Sequence, residues 1–380
     1  MTSYVVVGAG LAGSATAWEL ARRGHEVTLV ERTTPANEHG SSHGSARIFR
    51  YGYQDPFYTG LVVRAREAWD ELEALAGQRL ILPTGSLDHG ADRRPENLAA
   101  MMAGAGVAHE LLSPAAAAER WPGIAFDSTV LWHPGAGVID AETAVLAMAR
   151  LAEEAGATVR TGWPVAQVVP DGAGFRVVAD DGAELRADRV VVSAGGWLPD
   201  LLPTLPPALT RRVPRLEVRQ EQAFHFPYVE GATGLPADGA PEGWPTFIHK
   251  IPDIQVYGLP GGRDAGYRGQ KVAEYNGGPA IPSAAHSDGV VDPANRERVV
   301  AYVRRHLPGL VPEPYAETTC LFTNTPHEDF VIDGVDGITI VSPCSGHGAK
   351  FAPLLGRLAA DAATGTGEVP PAFRLAAVAA

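Results

Sequence analysis

Lys250, Lys271 and Lys350 are the only lysines in a chain with 31 basic residues, and arginine supplies every other fixed positive side chain. Lysine is a compact ammonium whose pKa moves on burial, whereas arginine stays charged and presents a planar fork, so a site can need one and reject the other. A codon bias toward arginine would also leave a few lysines behind, so each needs support from its neighbours. Lys350 has that support. It closes the run Ser345-Gly346-His347-Gly348-Ala349-Lys350, a glycine-punctuated turn ahead of an apolar helical pattern. Lys271 lies on a glycine-rich edge, and Lys250 reads as a surface residue. Arg47 and Arg50 stand three residues apart in a Gly/Ser loop, Gly40 to Arg50, that also holds Ser42 and His43. Cations gathered in this way suit an anionic substrate group or developing negative charge.

The elements that must position these residues begin at the N-terminus. The apolar run Tyr4 to Val7 leads into Gly8-Ala9-Gly10-Leu11-Ala12-Gly13, then a helical pattern to Arg23, a stop at Gly24, and a second strand, Glu26 to Val30, ending at Glu31. Strand, glycine turn, helix, strand and an acid 18 residues past Gly13 form the full context of a dinucleotide fingerprint. Gly8 permits the tight turn, Gly10 the approach of a pyrophosphate, and Gly13 close helix packing, with the helix N-terminus facing the phosphates. Glu31 can accept from both ribose hydroxyls and would repel a 2′-phosphate, which leaves FAD or NAD and excludes NADP.

Further along, helices are expected over Pro56 to Leu75 and Ala141 to Ala155, and a hairpin turning at Asp180-Asp181-Gly182. A buried strand, Arg189 to Val192, runs into the small-residue turn Ala194-Gly195-Gly196-Trp197, suited to close approach of a large cofactor. Between Arg211 and about Thr323, alternating runs at Val218 to Phe226, Pro245 to Lys250 and Ile254 to Leu259 predict an antiparallel sheet. The last part returns to strands at Val331 and Gly337 and a final helix presenting Phe351, Leu354, Leu355 and Leu358. The expected fold class is α/β, a Rossmann-like FAD-binding domain with a second, mainly antiparallel β-sheet substrate domain of α+β type. The first comprises residues 1–85, 140–212 and 325–380, the second 86–139 and 213–324.

A chain of 380 residues exceeds what a single core usually supports, in keeping with two domains. A net charge of -13 disfavours nucleic acid or an anionic membrane as the main partner. The two cysteines, Cys320 and Cys344, do not make a secreted disulfide framework, and the 12 histidines lack paired ligand spacing, so no metal is expected. With no signal-peptide pattern before Tyr4 and no long apolar run, a cytoplasmic location is expected.

The fingerprint, the Gly40 to Arg50 loop, Tyr257-Gly258-Leu259-Pro260, Lys271, Cys320 and the Ser345 to Lys350 turn occur in an order that resembles the monomeric sarcosine oxidase and N-methyltryptophan oxidase family. The resemblance spans most of the chain. It implies a flavin amine oxidase that removes hydride from the carbon bearing a secondary amine and returns the electrons to dioxygen as hydrogen peroxide. It further implies a monomer acting on a small-molecule amino acid substrate, with FAD joined covalently through Cys320, which stands 30 residues before Lys350. As sequence alone, a free cysteine is equally a small buried hydrophobe.

By the same resemblance Arg50 and Lys350 are the carboxylate pair and Lys271 the oxygen-activating lysine, supported by Arg47 beside the flavin; His43, near the flavin, tunes the pocket or moves protons. An arginine fork with a second point charge is the natural holder of a carboxylate. A fixed cation near the flavin would lower the energy of superoxide formation. The expected cofactor-binding set is Gly8, Ala9, Gly10, Leu11, Ala12, Gly13, Glu31, Arg32, Ser42, His43, Arg47, Val165, Ala194, Gly195, Trp197, Cys320, Gly346, His347, Gly348 and Lys350.

Three positions depart from the family pattern. Phe322 replaces a tyrosine two residues after the cysteine, Ala349 replaces a phenylalanine before the lysine of the turn, and Tyr275 replaces a histidine four residues after Lys271. A wider pocket follows, and a substrate bulkier than sarcosine, either an N-methyl or a cyclic imino acid. Two other readings stay open: a flavin dehydrogenase that passes electrons to a quinone or carrier, and an imino acid oxidase giving an unsaturated or aromatic product. A non-catalytic flavoprotein would have no need of these cations.

Overall fold

The Ser3–Val7 strand is apolar on both faces because it is covered on both. It lies inside a six-stranded sheet ordered Val331–Val335, Ile338–Ser342, Arg189–Val192, Ser3–Val7, Glu26–Val30, Thr158–Arg160. Every neighbouring pair is parallel except the first, an antiparallel hairpin. The computed structural model describes residues 1–230, 244–266 and 268–376. Residues 231–243 and Tyr267, which the expectation of an antiparallel segment had included, lie outside the described residues.

Helices Leu11–Arg22, Pro56–Ala76, Ala141–Glu154 and Ala352–Thr364 share one core with a face of this sheet. Gly356 lets the last of these approach the first, since a Cβ there would stand 2.6 Å from Ala15. Local chemistry sets the helix ends. Asp55 and Asp140 accept from the N–H groups of Phe57 and Thr143 at 2.8 and 3.0 Å, and Gly77 closes the long helix in the left-handed region. On the other face packs a three-stranded antiparallel sheet, Val165–Asp171, Gly174–Ala179 and Glu184–Ala187, which contains the expected hairpin.

The large sheet has nine strands among the described residues. Ala316–Asn324 pairs with the long Glu217–Pro227 strand, which also pairs with Gly269–Glu274; Ile254–Pro260 and Thr246–Ile251 follow. Thr246–Ile251 then pairs in parallel with Ser86–His89, a departure from the otherwise antiparallel pattern. A further small sheet joins Arg47–Phe49, Gly137–Ile139 and Ile81–Leu82, anchoring the arginine loop.

The sequence reading had not anticipated the Pro293–His306 helix, whose abundance of arginine leaves a thin apolar stripe of Val299, Tyr302 and Val303 against the large sheet. Its start was legible, with Asp292 as cap and Pro293 in the first turn. The C-terminal lysine turn enters its helix through a 3₁₀ turn at Gly348–Phe351, and the α-helix begins only at Ala352.

Candidate active site

The fingerprint opens a cavity of ≈ 520 Å³ that runs from the first glycine turn to the Ala316–Asn324 strand. Of the expected cofactor set, Gly8, Ala9, Gly10, Leu11, Ala12, Glu31, Arg32, Ser42, Arg47, Val165, Ala194, Gly195, Trp197, Cys320, Gly346 and Gly348 line it. Gly13, His43, His347 and Lys350 do not. Gly13 faces its own turn, where a Cβ would stand 1.8 Å from the Gly8 carbonyl oxygen, which is the close helix packing its spacing implied. Gly8 adopts φ 97°, and the Ser42 hydroxyl closes the loop over the turn by accepting from the Leu11 N–H at 3.0 Å.

Glu31 is buried, and its carboxylate accepts from the Ala9 N–H at 2.8 Å and from Thr33 and Asn37 at 3.2 Å. The Oε2 oxygen, which accepts from Ala9, keeps acceptor capacity for a ribose hydroxyl. Arg32 lies over the Trp197 ring at 4.7 Å. A glycine cradle that Cβ atoms would fill, an acid at the second strand and a cavity reaching on to Cys320 and Cys344 at its far end fit an FAD. Both cysteines are free, and burial raises both thiols against the lowering pull of Arg47.

A first group of charges gathers beside Cys320. The Arg47 guanidinium donates to the carbonyls of Ala46 and Ser41 at 2.9 and 3.2 Å, which holds the arginine loop against the cavity. Lys271, only 5% exposed, is brought down to about 8 by burial and then by Arg47, with Cys320 and Asp264 pulling the other way. Asp264 accepts from both the Ser45 N–H and the Ser45 hydroxyl, so it pins the loop next to Lys271. Burial raises Asp264, but these bonds outweigh it and bring it to about 2. His43 is lowered to about 3, by burial first and then by Arg47 and Lys271. It is a neutral and feeble base at neutral pH, which fits tuning of the pocket and not proton removal.

A second group surrounds Tyr53, whose ring lies 4.7 Å from the Arg50 guanidinium and 5.6 Å from the Lys350 ammonium. Lys350 is 4% exposed and donates to the His347 carbonyl at 2.6 Å, while Trp69 donates to the Lys350 carbonyl at 2.8 Å. Burial, then Arg50 and Arg93, hold its pKa well below the ordinary lysine range. The His347 ring packs among Tyr53, Tyr58, Phe330 and Phe351. Its nitrogens meet the Tyr53 hydroxyl and the Glu328 carbonyl, both at 2.9 Å, so a single neutral tautomer satisfies both.

Sequence reasoning missed the support beneath this group. The Gly52 carbonyl accepts from both Arg50 and Arg93, and Arg93 is paired with Asp88 at 2.5 Å, fully inside the protein. Burial pushes Asp88 up, but Arg93 and the His133 ring, 2.9 Å away, hold it well below the usual carboxylate range. No motif marks Asp88 or Arg93; strand register and a loop bring them to Gly52.

Lys250 corrects the sequence reading. It is not a free surface residue but half-buried, 5.7 Å from the Tyr275 ring, and lowered to about 8 by burial and by Arg93 and Arg50. Tyr275 in turn donates to Glu328 at 2.9 Å. Lys250 therefore belongs to the same cationic pocket as Arg50 and Lys350. Among the described residues, the ion pairs include neither Arg47, Arg50 nor any lysine.

Comparison with known proteins places this site in context. The model of the FAD-dependent oxidoreductase (DAO) family matches residues 3–362. The chain is 31% identical over 373 residues to N-methyl-L-tryptophan oxidase of Yersinia pestis (strain Pestoides F), covering 94% of this chain and 93% of that protein. The structure is similar to NikD, an unusual amino acid oxidase essential for nikkomycin biosynthesis, with TM-score 0.83, 26% identity and coverage of 100% and 99% of the two chains. It shares its fold with L-proline dehydrogenase from P. horikoshii, with TM-score 0.80, 21% identity and coverage of 98% and 95%.

Proposed function

This chain belongs to the family of FAD-dependent oxidoreductases, and from that premise we propose that it oxidises a secondary amine carried by an amino acid. The observation that supports the substrate class most directly is Lys350. An ammonium buried to 4% exposure, beside Arg50 and with no carboxylate pairing it among the described residues, is costly to keep unless a ligand completes it. A substrate carboxylate supplies that charge, gripped by the Arg50 fork and the Lys350 point charge. The buried Asp88–Arg93 pair holds the Gly52 carbonyl, and through it Arg50, in position.

FAD, when bound, accepts the hydride from the carbon next to nitrogen and hands the electrons to dioxygen. The protein's part is to hold, orient and charge. Arg50 and Lys350 fix the carboxylate end, which leaves the amine end to the cavity wall containing Phe322 and Ala349. His43 is too weak a base to be the proton acceptor, so a substrate bound as its free amine is the reactive form. Lys271 and Arg47 supply fixed positive charge next to Cys320 for reduction of dioxygen to hydrogen peroxide.

The finer points belong to the same proposal. FAD is attached through the Cys320 sulfur. Ala349 and Phe322 leave room for a substrate bulkier than sarcosine, an N-methyl or cyclic imino acid, the latter giving an unsaturated product. The chain acts as a cytoplasmic monomer; among the described residues no helix is long and apolar enough to cross a membrane. It divides into an FAD-binding unit of residues 1–85, 140–212 and 325–380 and a substrate unit of residues 86–139 and 213–324.

The test is peroxide formation by the purified yellow protein across N-methyl, cyclic and primary amino acids, alongside amines of the same shape that lack the carboxylate. Turnover confined to secondary amino acids, with the carboxylate-free amines poor, is expected. Flavin bleaching without peroxide would move the assignment to a dehydrogenase, and equal turnover of the carboxylate-free amines would overturn the role of Arg50 and Lys350.

A further inference from the structure

Behind the substrate pocket, on the opposite face of the large sheet, stands a cluster that the amine chemistry does not use. His89 ends the Ser86–His89 strand and His249 lies on Thr246–Ile251, where the parallel register sets them side by side. Side chains alternate along a strand, so their neighbours Asp88 and Lys250 point the other way, toward Arg93 and Arg50. Both histidines are 1% exposed. Their rings stack at 4.0 Å with an interplanar angle of 15°.

Both nitrogens of His89 and Nε2 of His249 are buried and have no hydrogen-bond partner. Buried polar atoms are almost always satisfied, and three orphaned nitrogens at one point call for an occupant. The side chain of Asp127, which is exposed, completes the group: a ligand atom from each of His89, Asp127 and His249 lies within 4.8 Å of the others. The neutral imidazole is the form that binds metal.

We propose that His89, His249 and Asp127 form a binding site for a zinc-class divalent cation that braces the two strands from behind the carboxylate pocket. Two imidazoles and one carboxylate suit a borderline metal such as zinc, with a position left for water on the Asp127 side, where the site meets solvent. His249 already has the outer partner that metal-ligating histidines use, since its Nδ1 meets the Tyr302 hydroxyl at 2.8 Å, which leaves Nε2 for the metal. The stacked rings present their lone pairs in parallel, so ligation turns one ring out of the stack. His89 has no hydrogen bond to lose on turning. Phe126, 5.1 Å from His89, walls the site on one side. The two histidines are far apart in sequence, so no ligand spacing announces them.

The experiment is elemental analysis of the flavin-loaded enzyme, followed by chelation, desalting and titration of the stripped protein with cobalt(II) and zinc. About one equivalent of tightly held metal per chain is expected, with a visible cobalt spectrum of nitrogen and oxygen ligation that zinc abolishes. Asp127→Asn, a surface change that spares the core, is expected to weaken cobalt binding by about 10- to 100-fold, and His89→Gln to abolish the spectrum. Stripping the wild type is expected to lower its melting temperature and raise KM while the flavin content stays unchanged. Absence of both retained metal and a cobalt spectrum would overturn the proposal, as would equal cobalt affinity in wild type, Asp127→Asn and His89→Gln.

Discussion

Replacing Lys350 with methionine separates the cost of this ammonium to the fold from its use in binding. Methionine keeps the length of the side chain and removes the charge. In the free protein the ammonium gains one bond, to the His347 carbonyl at 2.6 Å, and faces the like charges of Arg50 and Arg93. A charge-assisted hydrogen bond contributes about 1.5–3 kcal/mol. The desolvation of an unpaired buried ion costs several kcal/mol, so the two nearly cancel and Lys350→Met should melt no lower than wild type.

Binding responds in the opposite direction. Loss of one charge-assisted contact to the substrate carboxylate, again about 1.5–3 kcal/mol, lowers kcat/KM by about 10- to 150-fold. The effect falls mainly on KM, because the carboxylate is held in ground state and transition state alike. A pH control follows from the lowered pKa. The folded protein gives up this proton before the unfolded chain does, so the stability penalty is complete below the folded pKa and gone above the unfolded one. Wild-type stability should gain on rising pH across that window, and the variant should lack this gain. Thermal melts at several pH values together with steady-state kinetics read both effects. An unchanged KM, or a large fall in melting temperature, would refute the reasoning.

Three further outcomes are expected. Lys271→Met should leave anaerobic flavin reduction intact and slow reoxidation by dioxygen about 10²- to 10³-fold; in wild type the reoxidation rate should fall as pH rises through about 8, where the ammonium deprotonates, and rapid mixing with oxygenated buffer measures both. Gly52→Ala places a Cβ 2.7 Å from Asp88 Oδ2 and 2.9 Å from Arg93, so it should lower stability by about 1–3 kcal/mol in denaturant titration and raise KM. Cys320→Ala should release its flavin into the supernatant on acid precipitation, whereas the wild type should keep it in the pellet.

The glycine turn was legible because its requirements are backbone requirements. Gly8, Gly10 and Gly13 work through the side chains they lack, and Glu31 works from the end of a strand, so spacing alone located them. The cationic half was legible only in part. Arg50 and Lys350 could be picked from their loops, but the Asp88–Arg93 pair beneath them meets the Gly52 carbonyl only through tertiary packing that no local pattern encodes. Lys250 was misread for the same reason. Its strand is buried from Thr246 to His249, so both faces are covered, and which face meets solvent depends on the layers beyond. The Pro293–His306 helix was missed although its cap was visible, because its surface arginines mask the apolar stripe.

The proposed reaction is reduction of a flavin by a carboxylate-anchored secondary amine and its reoxidation by dioxygen. The most direct test is anaerobic titration of the purified protein with N-methyl and cyclic amino acids, followed by admission of air. Such a substrate should bleach the flavin stoichiometrically, colour should return on aeration, and one peroxide should form per substrate consumed. Failure of every secondary amino acid to bleach the flavin, while a primary or carboxylate-free amine does so readily, would contradict it.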